Sequence, residues 1–212
     1  MNKFIINTVT KRYPMLPHEV VAEVFPTMGG ITAPTETYMP EGYAWVTPTD
    51  APSYNRHTQR VVELPPQQVD NSWVQSFMVE DLSAEEILTN LQNAKATKIQ
   101  EINAARLAAN SSTFTHAGKV IACDELSRSD IDGTNGYVSL FGAMPENWPG
   151  GWKAVDNSYV QIANVAAWKA FYMSLFNAGN SNFGRSQKLK ALVNNATTIE
   201  QVLAITWTTE IP

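Results

Sequence analysis

The 212-residue sequence has little charge, a single cysteine and no long hydrophobic run. Charged residues make up 17% of the chain, against roughly 25% in average soluble proteins. The net charge is −5, and no run of Lys or Arg occurs anywhere. Because such a chain has no basic surface to release counterions from phosphates, we expect it to bind neither nucleic acid nor a membrane surface.

The lone cysteine and the short apolar segments argue against disulfide-bonded, zinc-binding, secreted and membrane-spanning proteins. Cys123 cannot form an internal disulfide, and no CxxC or His-Cys cluster marks a zinc site. We therefore expect a buried core thiol, with no metal and no cofactor. The N-terminal apolar patch is too short for a signal peptide, and no segment approaches the roughly 20 apolar residues of a membrane-spanning helix. A cytoplasmic location is the default expectation.

Catalytic patterns are also missing. The three histidines, His18, His57 and His116, stand in Pro-rich segments or a predicted hairpin, without a GxSxG or cysteine signature around them. The segment "DIDGTNG" suggests a calcium loop, but Asn135 and Phe141 occupy the positions that require Gly and a bidentate Glu. We expect that the protein is not an enzyme.

Proline is concentrated in the first part of the sequence. Residues 1–82 hold nine of the twelve prolines, a density that disfavours long helices and predicts a β-rich region. Propensity and alternation predict strands over residues 3–9, 20–25, 43–47, 59–64 and 73–79. The last of these has apolar residues on both faces, as expected inside a sheet or at a subunit contact.

A long connecting helix is predicted over residues 83–110. Ser83 and Glu86 have the spacing of a capping box at its start, and nothing breaks the pattern before Asn110. The apolar stripe is narrow and Ala-rich, and Lys95 and Lys98 interrupt a heptad register. A packed helical hairpin and a spacer or coiled-coil stalk explain this stripe equally well.

Residues 111–212 predict a mainly α-helical domain with small β-hairpins, so the fold class is α+β. A first hairpin turns at Ala117 and Gly118, with Phe114 and Val120 packing on one side. Four helices are predicted after this hairpin. The first begins at Ser127 or Ser129 and stops at Pro145, and the second begins at Asn164 and stops at Gly179. The last two cover residues 186–196 and 197–207. Asp124 and Asp130 are expected to act as helix caps, and Phe176 to lie on a broad aromatic core face.

The segment "MPENWPGGWKAVDNSYVQI" places two tryptophans around a Pro-Gly-Gly turn. A second hairpin is predicted, in which "WKAV" pairs with "YVQI" across the turn at Asp156. Trp152 should cover the core beside the following helix, whereas Trp148, before the turn, should be exposed. One buried and one exposed tryptophan are therefore predicted.

Three strings in the second half of the chain occur in a familiar order: "FTHAGKVIACDELSRSDI", "WKAVDNSYVQIANVAAW" and "TTIEQVLAITW". Over these strings the chain resembles an uncharacterised domain family found in tail-fibre-associated proteins of tailed bacteriophages. The upstream segments "RVVELPP" and "WVQSFMVEDLSAEEI" resemble the leader that commonly precedes that domain, while residues 10–58 match least well. The shared motifs are structural and include no catalytic residue.

The resemblance implies a role in tail-fibre assembly, either as a chaperone or as a component retained in the fibre or baseplate. The implied partner is the phage tail-fibre protein, with the baseplate as a second partner. The implied location is the host cytoplasm during assembly, and the virion tail if the protein is retained. Self-association through the 83–110 helix is a further expectation.

The β-rich region is the predicted contact with the fibre, by strand addition to an exposed fibre edge. The candidate partner-binding residues are Tyr43, Trp45, Val61, Trp73, Phe77 and Trp148. Those in the β-rich region could instead fill a small β core. A carbohydrate-binding module for the host surface is the alternative function, in which Trp148 and Trp152 would stack on sugar rings.

Overall fold

The structure is a computed structural model that describes residues 4–25, 33–35 and 38–211. Its helices are α1 (Pro17–Val24), α2 (Ala84–Asn110), α3 (Glu125–Phe141), α4 (Val165–Asn195) and α5 (Ile199–Ala204). Its strands are β1 (Phe4–Asn7), β2 (Tyr43–Thr47), β3 (Gln59–Val69), β4 (Ser72–Asp81), β5 (Thr113–His116), β6 (Lys119–Ala122), β7 (Gly151–Lys153) and β8 (Tyr159–Gln161). The α+β class predicted from the sequence is confirmed.

The chain divides into two compact units, Met1–Ile87 and Leu88–Pro212. Unit one contains a four-stranded sheet in the order β1-β2-β4-β3, in which β2 and β4 run parallel and the other neighbours antiparallel. Within its described residues, Ile5, Met15 and Val20 form one buried cluster, and Ile6 and Val46 are also buried. Helix α2 begins in unit one, and from Leu88 onward it belongs to unit two.

The strand predicted over residues 20–25 is wrong, because this segment lies in α1 and just beyond it. Pro17 occupies the first helical turn, where its fixed φ suits a helix and its missing N–H is not needed. Glu19 accepts a hydrogen bond from the backbone N–H of Leu16 at 2.8 Å, which closes the N-terminus of the helix. Val20 then points into the core of unit one with no exposed surface. The start of the strand predicted over residues 3–9 lies partly outside the described residues.

Helix α2 matches the predicted span, and its capping box is confirmed. The backbone N–H of Ser83 donates to Glu86 at 2.8 Å, and the backbone N–H of Glu86 donates to the Ser83 hydroxyl at 3.2 Å. The apolar stripe of this helix packs within unit two: Ile102 is buried, and Leu91 and Ile99 lie against the same cluster. The stripe is therefore buried by packing inside unit two, as a packed helix requires and a free spacer or stalk does not.

Unit two contains two hydrophobic clusters, both of which include residues of α4. The first cluster is Phe114, Ile121, Cys123, Ile131, Val138, Ala154, Val160, Ile162, Trp168, Phe171 and Leu175. The second cluster is Ile102, Leu189, Val193, Ala196, Val202 and Ile205. Cys123 is the buried free thiol predicted from the sequence.

The stop predicted at Gly179 is wrong, because α4 continues from Val165 to Asn195 and joins two predicted helices into one. A glycine within a helix costs only about 1 kcal/mol relative to alanine, and both halves of α4 are held by core packing, through Trp168 on one side and Leu189 on the other. The N-cap at Asn164 is confirmed, since its side chain accepts from the Ala167 N–H at 2.9 Å. Phe176 is 60% exposed, so its predicted place in the core is also wrong.

Helix α3 begins earlier and ends earlier than predicted. Asp124 is its N-cap and accepts from the backbone N–H of Ser127 at 3.0 Å, which confirms one of the two predicted acidic caps. Asp130 lies inside the helix and caps nothing. The helix ends at Phe141, because the C-cap residue Gly142 has a left-handed φ of 65°, which stops the helix before Pro145 is reached.

The first predicted hairpin is present as β5 and β6, and the turn at Ala117 and Gly118 is confirmed by their positive φ values of 47° and 76°. The predicted packing of Val120 is wrong. Phe114 pairs with Ile121, so these two side chains share the buried face, and Val120, one residue away, is 46% exposed. The second hairpin is β7 and β8, in the predicted antiparallel arrangement.

Candidate functional site

Two of the predicted partner-binding residues lie in the shell of the core of unit one. Tyr43 and Trp45 are half-buried and pack against the buried residues of this core. The Tyr43 hydroxyl donates to Glu23 at 2.8 Å, and the Trp45 indole N–H donates to the carbonyl of Thr35 at 2.9 Å. The hydrogen bond from Tyr43, followed by the charge and hydrogen bond of Arg12, lowers the pKa of Glu23. Both aromatic side chains therefore have structural contacts along much of their surface.

Val61, Trp73 and Phe77 lie on the opposite face of the same sheet. In β4, Trp73 and Phe77 are four residues apart and so lie on the same face, which Val79, two residues after Phe77, also shares. Val61 of β3 pairs with Val79 and therefore lies on this face too. Trp73 pairs with Val46, the neighbour of Trp45, which places Trp45 on the other face. The five predicted residues of the β-rich region therefore form two separate surfaces and not one.

The edge of β3 is the open edge of the sheet within the described part of the chain. On the other side of the sheet, β1 is covered by Met15, which exchanges backbone hydrogen bonds of 2.9 and 3.0 Å with Ile5. On β3, Pro65 and Pro66 lack an N–H, and the pairing with β4 is irregular between Leu64 and Gln67. An added strand could therefore pair regularly only along residues 59–64.

The two tryptophans of the second hairpin lie together at the edge of the first cluster of unit two. Both are half-buried, and their ring centroids are 6.2 Å apart. The Trp148 indole N–H donates to the carbonyl of Ile162 at 2.7 Å, and Trp152 lies 5.5 Å from the ring of Phe171. The predicted contrast between a buried Trp152 and an exposed Trp148 is wrong, because this hydrogen bond and the turn from Pro145 hold Trp148 against the core.

These tryptophans line an open depression of about 580 Å³, which we call the tryptophan groove. Its side chains include Ser127, Trp148, Trp152, Lys153, Asn157 and Tyr159. Tyr159 is 61% exposed and pairs across the hairpin with Lys153. The groove combines fixed aromatic rings with polar groups at its rim, as small-ligand sites do.

The turn beside the groove is stabilised by an ionised carboxylate. Asp156 accepts hydrogen bonds from the hydroxyl and the backbone N–H of Ser158, and from Lys119 at 3.1 Å. These contacts, the Ser158 hydroxyl first, lower the pKa of Asp156 to about 2.

This pKa predicts a pH-dependent contribution to stability. The folded-state pKa lies below the unfolded value of about 3.9, so the contribution is present above pH ~4 and is lost as the pH falls toward 2. We expect Asp156→Asn to lower the urea midpoint at pH 6 and to have a shrinking effect as the pH is lowered. Urea titrations of both proteins at several pH values test this, and a difference that stays constant down to pH 2 would contradict it.

A second exposed surface, missed by the sequence analysis, lies on the outer side of α3. Leu126, Leu140 and Phe141 are 72%, 80% and 66% exposed, and the ring of Tyr137 lies 4.6 Å from that of Phe141. The buried face of α3 carries Ile131 and Val138 instead. The signal that could have revealed this surface is the grouping of Tyr137, Leu140 and Phe141 at positions i, i+3 and i+4, on a face separate from that of Ile131 and Val138.

One histidine forms a pair that resembles part of a hydrolase site. The Nδ1 atom of His116 lies 2.8 Å from the Ser174 hydroxyl. The Ser174 hydroxyl also lies 3.1 Å from the carbonyl oxygen of Ala170, so its one proton has two acceptors within reach, and the direction of its hydrogen bond with His116 depends on the imidazole tautomer.

Among residues 4–25, 33–35 and 38–211, no three His, Cys, Asp or Glu side chains lie together in a way that could hold a metal ion. In the same residues, no helix combines the length and apolar character needed to cross a bilayer.

Comparison with protein families gives a match over the second half of the chain. Residues 93–206, more than half of the chain, match the family described as "Domain of unknown function (DUF4376)". No curated protein and no solved structure matches the chain.

Proposed function

The chain belongs to the DUF4376 family, a domain family of unknown function, and we propose that it is a non-enzymatic, tail-fibre-associated protein of a tailed bacteriophage. In this proposal it acts through protein–protein contacts, as an assembly chaperone or as a component retained in the fibre or baseplate. It works in the host cytoplasm during assembly and, if retained, in the virion tail. The family match carries no function by itself, and the proposal depends on the sequence resemblance together with the surfaces described above.

The observation that carries the proposal is the open edge of β3. Tail fibres are rich in β-structure, and unpaired strand edges in assembling chains aggregate unless they are covered. Residues 59–64 offer backbone groups for strand addition, and Pro65 and Pro66 limit how far such pairing extends. A short, bounded edge of this kind suits pairing with a partner better than open-ended self-association.

The outer surface of α3 supports protein contact independently. Leu140 and Phe141 are 80% and 66% exposed at the end of α3, where the ring of Tyr137 lies 4.6 Å from that of Phe141, and a grouped apolar surface of this kind is typical of protein contacts. Self-association through residues 83–110 stays a prediction. Because Ile102 and Leu91 pack inside unit two, less apolar surface of that helix is left for it.

Hydrogen exchange measured on a complex with the tail-fibre protein tests the proposed contact. We expect co-expression to increase the yield of soluble, trimeric fibre and to give a complex that co-purifies. In that complex the backbone amides of residues 59–64 that point away from β4 should exchange at least tenfold more slowly than in the free protein, because new strand pairing protects them. The amides of β1 serve as an internal control, since Met15 already covers that edge.

Two outcomes would contradict the proposal. A fibre that folds and trimerises equally well alone would exclude the chaperone role, and a complex in which residues 59–64 stay unprotected would exclude strand addition at β3. Mass spectrometry of purified virions then separates the two remaining roles: several copies per particle indicate a tail component, and absence indicates a chaperone that leaves.

A further inference from the structure

The open edge of β3 presents apolar side chains on both of its faces. Val61, Val62 and Leu64 are all half-buried. Because side chains alternate along a strand, Val61 lies on one face while Val62 and Leu64 lie on the other. A strand added beside β3 would therefore have apolar neighbours on both faces, as strands inside a sheet do.

The two charged side chains of the same stretch, Arg60 and Glu63, are already paired within unit one. Arg60 donates to two carboxylates, and Glu63 accepts from one hydroxyl and one amide. The partners and distances are Glu80 (3.0 Å) and Glu86 (2.9 Å) for Arg60, and Tyr13 (2.6 Å) and Gln75 (2.7 Å) for Glu63. An added strand therefore needs to supply no charge to either residue.

The edge is also bounded in length. At its start, the backbone N–H of Gln59 donates to the carbonyl of Asn55 at 2.7 Å, so a new strand cannot use this donor. At its end, Pro65 and Pro66 lack an N–H, and the pairing with β4 is irregular. Residues 60–64 lie between these limits and span roughly 17 Å of extended chain.

We propose that this edge selects an extended segment of about five residues that carries no charge and has apolar side chains on both faces. A charged side chain in such a segment would lose hydration against the valines and the leucine of the edge. It would also find no counter-charge, because Arg60 and Glu63 are already paired. This inference rests on the proposed function only for the identity of the protein that supplies the segment.

A segment of this kind is buried once its own chain has finished folding. In completed β-structure, a strand that is apolar on both faces lies inside a sheet, where its backbone groups are paired. The edge therefore distinguishes an incompletely folded partner from a finished one by the chemistry of the strand. A second copy of this chain fits less well, because its own β3 would bring Arg60 and Glu63 into the pairing.

The test uses the full chain to select from a displayed library of short random peptides. We expect the enriched peptides to share a run of about five uncharged residues, rich in β-branched and aromatic side chains. A selected peptide, with lysines added at both ends for solubility, is then titrated by fluorescence anisotropy. Replacement of its central residue by Lys or Glu should weaken binding roughly tenfold or more. Hydrogen exchange of the complex should show protection of the amides in residues 60–64 that point away from β4.

Three variants of the protein locate the binding edge. Val62→Lys should weaken binding of the selected peptide roughly tenfold, and a peptide with Glu at the facing position should recover this loss, because opposite charges across a strand pair attract. A general loss of structure would not be recovered by a change in the peptide. Val61→Thr keeps the β-branched shape and should weaken binding roughly threefold, which keeps the test decisive if Val62→Lys does not fold. Val69→Lys is the matched control, since it makes the same substitution on β3 beyond the prolines at a residue that is 50% exposed, and it should bind as the parent protein does.

Enrichment of charged peptides, no enrichment at all, or a bound peptide that leaves residues 60–64 unprotected would each overturn the proposal. A dimer in sedimentation that Val62→Lys dissociates would instead identify a second copy of this chain as the occupant. The test contains no fibre protein, so its failure is distinguishable from failure of the proposed function. Protection of β3 by the fibre without a preference for apolar peptides would remove only this specificity, and the reverse result would remove only the fibre as partner.

Discussion

Trp168→Ala should destabilise unit two by about 3–5 kcal/mol, the range for truncating a large aromatic side chain in a core. Trp168 has no exposed surface, and its ring lies 5.5 Å from that of Trp148 and 5.4 Å from that of Phe171. Its indole N–H donates to Asn135 at 3.3 Å, which joins α4 to α3. The substitution removes both the packing and this hydrogen bond, and the surrounding rings cannot close the space.

The buried thiol offers a selective measurement of this effect. Cys123 belongs to the same cluster as Trp168, so its labelling by a thiol reagent during a urea titration reports the opening of unit two. The matched control is Phe176→Ala, an aromatic truncation on the same helix at a position that is 60% exposed. We expect the control to cost less than about 1 kcal/mol. If the two variants unfold at similar urea concentrations, Trp168 is not the centre of this core.

Gly151→Ala and Gly179→Ala should change stability in opposite directions. A Cβ at Gly151 would lie 2.6 Å from the backbone carbonyl oxygen of Val160, and the opposite strand cannot yield without losing its pairing. We expect a loss of about 1–3 kcal/mol, typical of overpacking, or more. At Gly179 a Cβ meets nothing within 4 Å and the backbone is helical, so alanine should add about 0.5–1 kcal/mol by reducing the entropy of the unfolded chain.

Urea midpoints of the two alanine variants, measured beside the parent protein, decide this prediction. A third variant, Gly184→Ala, repeats the test on α4 at another position with free space around the new methyl group. Stabilisation by Gly151→Ala would mean that β7 and β8 are not packed as closely as described, and destabilisation by both helix variants would mean that α4 is broken near Gly179.

The elements that could be predicted from the sequence are those that depend on residues close together in the chain. The capping box at Ser83, the Asn164 cap and the turn at Ala117 and Gly118 each depend on residues within four positions of one another, and all are confirmed. The strand over residues 43–47 was also predicted with its observed limits.

The wrong predictions have two causes: contacts distant in sequence outweigh a local preference at Gly179, and one local signal outweighs another at residues 20–25. Glycine at position 179 predicts the end of a helix, but α4 continues past this residue because both of its halves pack in the core. Residues 20–25 have β-propensity, yet the proline at position 17 and the carboxylate at position 19 start a helix, which buries Val20.

The candidate surfaces could be predicted only in part. The sequence identified the aromatic residues but not their faces, because the parallel pairing of β2 with β4 is a long-range feature that separates Trp45 from Trp73. It also gave the wrong contrast between Trp148 and Trp152, since the hydrogen bond to Ile162 joins residues fourteen positions apart.

The length of α4 has a consequence for how unit two unfolds. One unbroken helix supplies Trp168 and Phe171 to the first cluster and Leu189 and Val193 to the second. Fraying of either half removes the support that the adjoining turns of the other half require, so the two clusters are thermodynamically coupled. We therefore expect unit two to unfold as a single cooperative unit, in which a destabilising mutation in one cluster lowers the melting temperature of both clusters.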